Sequence, residues 1–564
     1  VNKTLKLEYI PLAIVALVTL VFSDYFFDSI ILPKFFILVC GSFLALYFNI
    51  NSFSHIPPKL IKPAIFSLIY LLAILTSGFV NKQSAYEILV GAFARYNGLL
   101  SAMSVIILFL IVANSKENSF LIVKALVALG YGFVCFGLLE FSGFSFTNQI
   151  TRDTYIKLTI GNSNFASILL VITFTATFAK ILFSKISNLY KFVLFLSLIS
   201  HLFLIFHTNS MQGYVTCVAS IMFLTGARLI KSGKKFNSKV GNSIWISIPS
   251  IGILILFDIV YKGPISNLVN FNSLIDRFYV WKASILMGKE NLLSGLGIDS
   301  YRYWFGKYMQ KETLGDVGPM ESYDSAHNIF MQYFATGGLF LLLSYCLLTF
   351  FIFYCVYMLI KQKKFDDYSI VLICVWFIIQ LQSLVSPEHI VIFTWQWIIS
   401  GALVSEYYSK VKVQSISGKV SDRNYIYSKN LIFVVLIAFV LFMFPTLKAE
   451  YKVNQIIKKP YVLESEEIRL ASSEILNLTL PLKYPELKVF SAAVLLKFQD
   501  FSGALNLALD CTNKFPRFTR GWVTLATVYE QIGNKALALS AWEMASTLEP
   551  LNLSYRSKIG ENFK

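Results

Sequence analysis

Apolar residues run along this chain in blocks closed by short polar stretches, from the N-terminus to about residue 446. The blocks are about 18 to 25 residues long, the length that crosses a hydrocarbon core of roughly 30 Å as a helix. The pattern predicts thirteen helices, near 9–23, 34–50, 60–79, 97–113, 119–141, 163–183, 189–207, 212–230, 243–261, 328–360, 368–386, 390–408 and 430–446. The run 328–360 is too long for one untilted span, and predicts a helix that projects beyond the bilayer or begins with an interfacial segment. The first run follows only two lysines and lacks a small-residue cleavage site, so it reads as a retained span.

Composition agrees with this pattern: 56% of the 564 residues are hydrophobic and 14% charged, against roughly 25% charge in a soluble globular chain. The formal net charge of +17 would suggest nucleic acid in a soluble protein. Here it falls at Lys59 and Lys62, Lys185 and Lys191, Arg228 to Lys239, Lys361, Lys363 and Lys364, and Lys410 to Lys429. With the N-terminus in the cytoplasm all of these lie on one side, as the positive-inside rule demands. The excess is therefore a topology signal and implies no nucleic-acid partner. The same count of spans puts the loop 262–327 and the tail 448–564 together on the outer side of the cytoplasmic membrane. Seven scattered cysteines show no metal-site or CxxC spacing, so no disulfide framework, metal site or cofactor is expected.

After about residue 447 the character changes to ordinary charge density with repeated Ala and Leu. Trp522, Leu525, Ala526, Tyr529, Gly533, Ala538, Trp542, Ala545 and Pro550 follow the 34-residue tetratricopeptide pattern, and Ala504, Ala508, Cys511 and Pro516 form a weaker copy before it. The reading is an all-α protein: a polytopic transmembrane bundle of about 12–13 spans over 1–447, with a long outer loop at 262–327, and a soluble α-solenoid of tetratricopeptide-like repeats over 448–564.

Ionisable groups in or beside spans are costly unless paired or facing an aqueous cavity. Arg95, Glu140, Arg152, His207, Arg277, Arg302, His327, Glu388 and His389 all fall toward the outer side in this topology. Two stretches are the most informative, Asp276 to Tyr301 and Ser325 to Leu343. In the second, His327 and Asn328 stand where a polar loop enters a helix, and Gly337 and Gly338 follow ten residues on.

Arg277 and Trp281 precede Gly295 and Gly297 in the long loop, and His327 and Asn328 then open a helix with Thr336 and Gly337. With GNSNF at Gly161 to Phe165, this arrangement over about residues 90–405 resembles the O-antigen ligase and polymerase superfamily of bacterial envelope glycosyltransferases, which includes protein O-oligosaccharyltransferases. The resemblance implies transfer of a glycan from a polyprenyl (undecaprenyl) diphosphate carrier to an acceptor hydroxyl on the outer face, without a metal ion. The acceptor would be a lipid-anchored core glycan, another carrier-linked repeat in a polymerase, or a Ser/Thr of an exported protein. The concave face of the tail tilts the choice toward a protein acceptor or partner.

The chemistry of the residues fits that division of labour. A guanidinium stays protonated and matches phosphate oxygens as a planar fork, which makes Arg277 the first choice for the diphosphate. An imidazole near its usual pKa takes a proton from the attacking hydroxyl, which makes His327 the candidate base. Arg95, Arg152 and Arg302 would complete the clamp, with a competing reading as structural or snorkelling residues. An ion pair between Arg277 and Asp276 competes with the diphosphate role. Gly295 and Gly297 read as turn formers before a phosphate cradle, Glu388 and His389 as a solvated turn after Pro387, and His201 as a packing residue. One departure from the family pattern stands out: where many members carry a Ser-Arg pair, this chain reads NSMQG at Asn209 to Gly213. Gln212, His207 or an arginine from another loop would then substitute at the donor site, beside Asn328. A multi-span transporter or flippase would carry similar charges, but the internal repeats expected of one are not seen.

Overall fold

A computed structural model describes residues 9–53, 57–115, 118–144, 155–260, 272–310, 323–411, 423–458 and 465–562. Regular structure among them is entirely helical. The chain begins with α1 (Tyr9–Leu20), α2 (Ile31–Asn49), α3 (Pro58–Val80), α4 (Ala85–Val90), α5 (Leu99–Asn114) and α6 (Asn118–Phe141). It continues with α7 (Ser163–Phe183), α8 (Asn188–His207), α9 (Met211–Lys231), α10 (Lys235–Val260), α11 (Asn272–Glu290) and α12 (Tyr301–Tyr308). Then follow α13 (Ile329–Lys361), α14 (Asp367–Ser383), α15 (Ile390–Lys410) and α16 (Arg423–Lys458), and last α17 (Ser465–Thr479), α18 (Pro485–Lys497), α19 (Phe501–Lys514), α20 (Thr519–Ile532), α21 (Lys535–Leu548) and α22 (Leu553–Asn562).

Every one of the thirteen expected apolar runs lies on a helix. Nine of the described helices are long and apolar enough to cross a membrane, and α1, α5 and α14 are shorter apolar helices. This makes the first four-fifths of the chain a polytopic bundle. Its most enclosed helix is α15, whose apolar stretch is 94% buried, followed by α7 at 78%. The α5 helix packs on α15, and α3 packs on α13. At the periphery α8 turns Leu189, Phe192, Phe195, Ile199 and Phe206 outward, and α16 does the same with Leu431, Phe433, Val434, Leu441 and Phe444. Rows of large apolar side chains facing away from the protein are what a lipid-facing helix needs, since its backbone is already satisfied internally.

The long α13 is broken. Gly338 has φ 64° and ψ −163°, so a short first segment meets the rest at a kink. The break frees backbone groups that the loop ahead of α12 satisfies. Leu296 and Gly297 N–H donate to the carbonyls of Ala335 (3.0 Å) and Thr336 (3.0 Å), while Leu339 and Phe340 N–H donate to those of Leu292 (2.8 Å) and Leu293 (3.2 Å). Two backbones this close exclude side chains: a Cβ at Gly295 would lie 2.4 Å from the Thr336 carbonyl carbon, and one at Gly338 2.4 Å from that of Leu293. Gly295 therefore serves close backbone approach rather than cradling a phosphate.

The α16 helix runs without interruption through residue 447 to Lys458 and delivers the chain to a second helical layer. There α18 and α20 begin 34 residues apart, as do α19 and α21. Their caps keep the same register: Asp500 accepts from Gly503 N–H at 2.9 Å and Asn534 from Leu537 N–H at 3.1 Å. Small residues at Ala504, Ala508, Ala526, Ala538 and Ala545 are fully enclosed and let the paired helices approach. This layer is fixed to the bundle through Glu450, which accepts from Asp28 N–H (2.9 Å) and from the Tyr484 hydroxyl (2.8 Å), and through Phe27 against Phe490 at 4.3 Å.

Candidate functional site

At the end of the bundle beneath the tail, four segments that are remote in sequence meet: the 91–98 turn, the 291–302 loop, the 323–328 entry to α13, and the 384–389 connection. Capping and turn chemistry hold each one. Ser84 and Glu87 form a capping box at the start of α4. Asp299, buried at φ 52°, accepts from Ala92 N–H at 2.7 Å and Asn97 N–H at 3.3 Å, tying the 291–302 loop to the turn that presents Arg95. Gln83 pairs with both backbone groups of Ile298 at 2.8 and 2.9 Å.

Arg95 grips Asp324 with two nitrogens, Nε to Oδ2 at 3.0 Å and Nη2 to Oδ1 at 2.5 Å, and also reaches Ser325 Oγ at 3.0 Å. Arg302 stands on the other side of Asp324, 3.6 Å away, and donates to Glu486 of α18 at 3.0 Å. Burial opposes ionisation of Asp324, but the Arg95 bonds and the charges of Arg95, Arg302 and His327 outweigh it, holding its carboxyl well below the usual range. Arg95 and Arg302 thus have carboxylate partners in the protein itself, and any anionic ligand must share them.

His327 has φ 50°, directly before Asn328 at the head of α13. Its ring lies edge-on to Tyr323 at 5.7 Å. Burial, together with the charges of Arg277 and Arg95, lowers its pKa to about 4 against the opposing pull of Asp324. At neutral pH it is an uncharged imidazole. This interaction also places Arg277, which extends from α11, in the same cluster; the Asp276 side chain lies outside the described residues.

The other expected residues separate into those that join the cluster and those that do not. Asn328 caps α13, accepting from Phe330 and Met331 N–H at 2.9 and 3.1 Å, and its amide donates to Leu384 O at 2.9 Å. Its side chain is structural in this arrangement. Gln212, at the start of α9, accepts from Ser386 Oγ at 2.6 Å, while its amide nitrogen is buried without a partner. His207 is packed among Phe141, Phe203 and Phe206 with ring centroids 4.4 to 5.5 Å away, and makes none of the Arg95 cluster's contacts. Arg152 lies outside the described residues. His201 is a packing residue, fully buried with Ser197 O at 2.7 Å and Thr173 Oγ1 at 3.1 Å. Glu140 receives the N–H groups of Lys157 and Leu158 at 3.0 and 2.9 Å, a loop-fastening role.

The connection after Pro387 is not the solvated turn expected from its sequence. Glu388 bonds the Tyr333 hydroxyl, which in turn meets Tyr70 at 2.7 Å. Burial, aided by Asp299 and opposed by the Tyr333 bond and Arg95, raises the Glu388 pKa to about 8. His389 is 8% exposed and stacked on Phe165 at 4.5 Å. Its Nδ1 accepts from Val391 N–H at 3.3 Å, which leaves the proton of the neutral ring on Nε2, a buried donor without an acceptor. The Gly161–Phe165 stretch joins here too, Asn164 Oδ1 accepting from Ser210 Oγ at 2.8 Å. Proline next to two ionisable residues signals a turn, and the aromatic partners that enclose it lie too far away in sequence to be read.

Residues 192–346 match the O-Antigen ligase family. This segment, just over a quarter of the chain, contains His207, Gln212, Arg277, Arg302, His327 and Asn328, and the family likeness is stated for that part. Arg95, Glu388, His389 and the tail lie outside it. A search of curated proteins finds no match to the chain.

Proposed function

We propose that this protein is an integral-membrane glycan ligase that moves an oligosaccharide from a polyprenyl diphosphate carrier to an acceptor hydroxyl at the outer face of the cytoplasmic membrane. The observation that carries the reading is the setting of His327: a largely buried imidazole at the head of α13, within the electrostatic reach of Arg277 and Arg95, inside the segment similar to O-antigen ligases. In the proposed step the acceptor oxygen attacks the anomeric carbon, its proton passes to the His327 imidazole, and the bond from that carbon to the phosphate oxygen breaks, the electron pair leaving with the carrier diphosphate. Arg277 binds the diphosphate, and Arg95 adds to the positive field while keeping Asp324. The free N–H groups of Gln212 and His389 supply neutral donors where related enzymes carry an arginine.

The low basicity of His327 supports this order of events. With the site empty, burial first and then the two guanidinium charges keep the ring deprotonated. A diphosphate bound between them cancels much of that field, so the pKa rises toward the working pH and the ring becomes an effective base only when donor is present. In this reading the thirteen apolar runs of the sequence all cross, the N-terminus is cytoplasmic, and the loop, the tail and the site lie at the outer leaflet. The 34-residue register of the tail supports a tetratricopeptide-like domain, which would hold a protein acceptor or partner. The test is transfer in reconstituted membranes from a polyprenyl diphosphate donor, with lipid and peptide acceptors offered separately. His327→Ala is expected to slow transfer about 10²- to 10⁴-fold while leaving donor binding intact; undiminished transfer in that variant removes the base, and no transfer by the unaltered protein to any acceptor overturns the ligase reading.

A further inference from the structure

The contacts that join tail to loop surround an open space. A cavity of about 250 Å³ lies between Arg302 and Asp324 on the loop side and Phe518, Thr519, Arg520 and Glu549 on the tail side. Its frame is firmly held. Arg517 lies over the Trp304 ring at 3.9 Å, Tyr303 meets Phe518 edge-on at 5.7 Å, and Arg302, which lines the cavity, is paired with Glu486 at 3.0 Å. One of its lining residues, Asp324, is the carboxylate whose charge acts on His327 from three residues away.

The lining selects a ligand class. An anion entering this space meets Asp324 and Glu549, and a cation meets Arg302 and Arg520. A neutral group carrying several hydroxyls satisfies both sets, since each hydroxyl donates to a carboxylate and accepts from a guanidinium, and Thr519 Oγ1 does either. Phe518 adds one apolar wall suited to the C–H face of a ring, the mixture of an apolar surface and a few convergent polar groups that fixes orientation in small-molecule sites. The space suits one ring and excludes a folded partner.

We infer that this cavity is a saccharide subsite, built jointly by the loop and the tail, that seats one sugar ring of a glycan beside the reaction centre. Its catalytic meaning rests on the ligase reading above, while sugar binding itself is measured without transfer. The ring belongs either to the donor glycan or to a glycan acceptor, and the tail contributes to the site directly in both cases.

The experiment is saturation-transfer NMR on the full-length protein in detergent, with glucose, galactose, mannose and N-acetylglucosamine as free probes and the tripeptide Ala-Ser-Ala as a comparison. At least one sugar should give signal in the unaltered protein. Thr519→Trp, which fills the cavity, should abolish it, and Glu549→Gln and Arg520→Ala, which alter exposed or half-buried groups and spare the fold, should each weaken binding about tenfold. No signal from any sugar, signal that persists in all three variants, or signal from the tripeptide alone overturns the subsite, whatever the transfer assay shows. In transfer assays, a tenfold rise in KM confined to the carrier-linked donor assigns the ring to the donor glycan, and one confined to the acceptor assigns it to the acceptor; unchanged KM for both overturns the role in catalysis.

Discussion

Arg95 and Asp324 form a two-point ion pair, 3.0 and 2.5 Å, between residues 229 positions apart. The pair brings the turn after α4 onto the loop that carries His327, and it does so with a guanidinium that the ring also feels. One residue therefore fastens the site and adds to the shift that burial and Arg277 impose on the candidate base.

That double role gives a pH test. A base that must be deprotonated loses activity as pH falls through its pKa, here about 4 with the site empty. Arg277 and Arg95 both lower that pKa, so neutralising either raises it, and the acid limb of the kcat/KM profile should move to higher pH in Arg277→Gln and Arg95→Gln. Arg277→Gln should also weaken donor binding by about 10- to 100-fold, as loss of a charge-assisted contact of roughly 1.5–3 kcal/mol implies. Profiles that superimpose on that of the unaltered protein would separate His327 from catalysis.

Glu388 supplies a second titration with its own sign. Its pKa is raised to about 8 in the folded protein from about 4.3 in an unfolded chain. The folded state then binds the extra proton between those values, so the stability this group contributes is complete below about pH 4.3 and is lost as pH rises through 8. Melting temperature in detergent should fall across that window, and Glu388→Gln, which keeps a neutral partner for Tyr333, should remove a pH-dependent stability change of on the order of a few kcal/mol summed over it. An unchanged slope would mean that Glu388 is charged in the fold.

The bundle was legible because each apolar run declares its own helix: all thirteen expected positions are helical, and Asn188–His207 and Ser163–Phe183 match to within a residue. The position of His327 at the head of a helix was legible for a different reason, the polar-to-apolar boundary at which it stands. What the chain could not declare locally was partnership. Asp324 stands three residues before His327, yet its importance depends on Arg95 and Arg302. Glu388 looks like a turn residue until Tyr333, 55 positions earlier, encloses it. The break in α13 had a local signal in Gly337 and Gly338, but only the loop at Leu292–Gly297 explains why the helix breaks there.

That break is open to a direct test. Gly338 has φ 64° and Gly295 φ 62°, and an added Cβ at either would strike backbone atoms, which cannot swing aside as a side chain would. Positive φ alone costs a non-glycine residue about 1–3 kcal/mol, and the clash adds to it. Gly295→Ala and Gly338→Ala should each lower stability by more than about 2 kcal/mol and cut the yield of monodisperse protein, whereas Gly132→Ala, with open space at its Cβ, should be tolerated. A normal melting temperature for Gly295→Ala would show that loop and helix approach less closely than described.

The attachment of the tail can be measured through Arg302 and Glu486. Arg302 Nη1 lies 3.0 Å from Glu486 Oε1, with the two side chains 19% and 8% exposed. Burial opposes the charge on Arg302, but Glu486 foremost, with Tyr303, Asp324 and Asp299, holds it protonated. Removing one partner of such an enclosed pair leaves the other uncompensated, at a cost of about 3–5 kcal/mol, while replacing both by apolar groups of similar size is often neutral. Glu486→Leu should therefore lower the melting temperature markedly, and Arg302→Met combined with Glu486→Leu should restore much of it. Activity should stay low in the double variant, because Arg302 also faces Asp324. Equal and additive losses in the two single variants, with no recovery in the double, would show that the pair is not coupled and that other contacts hold the tail.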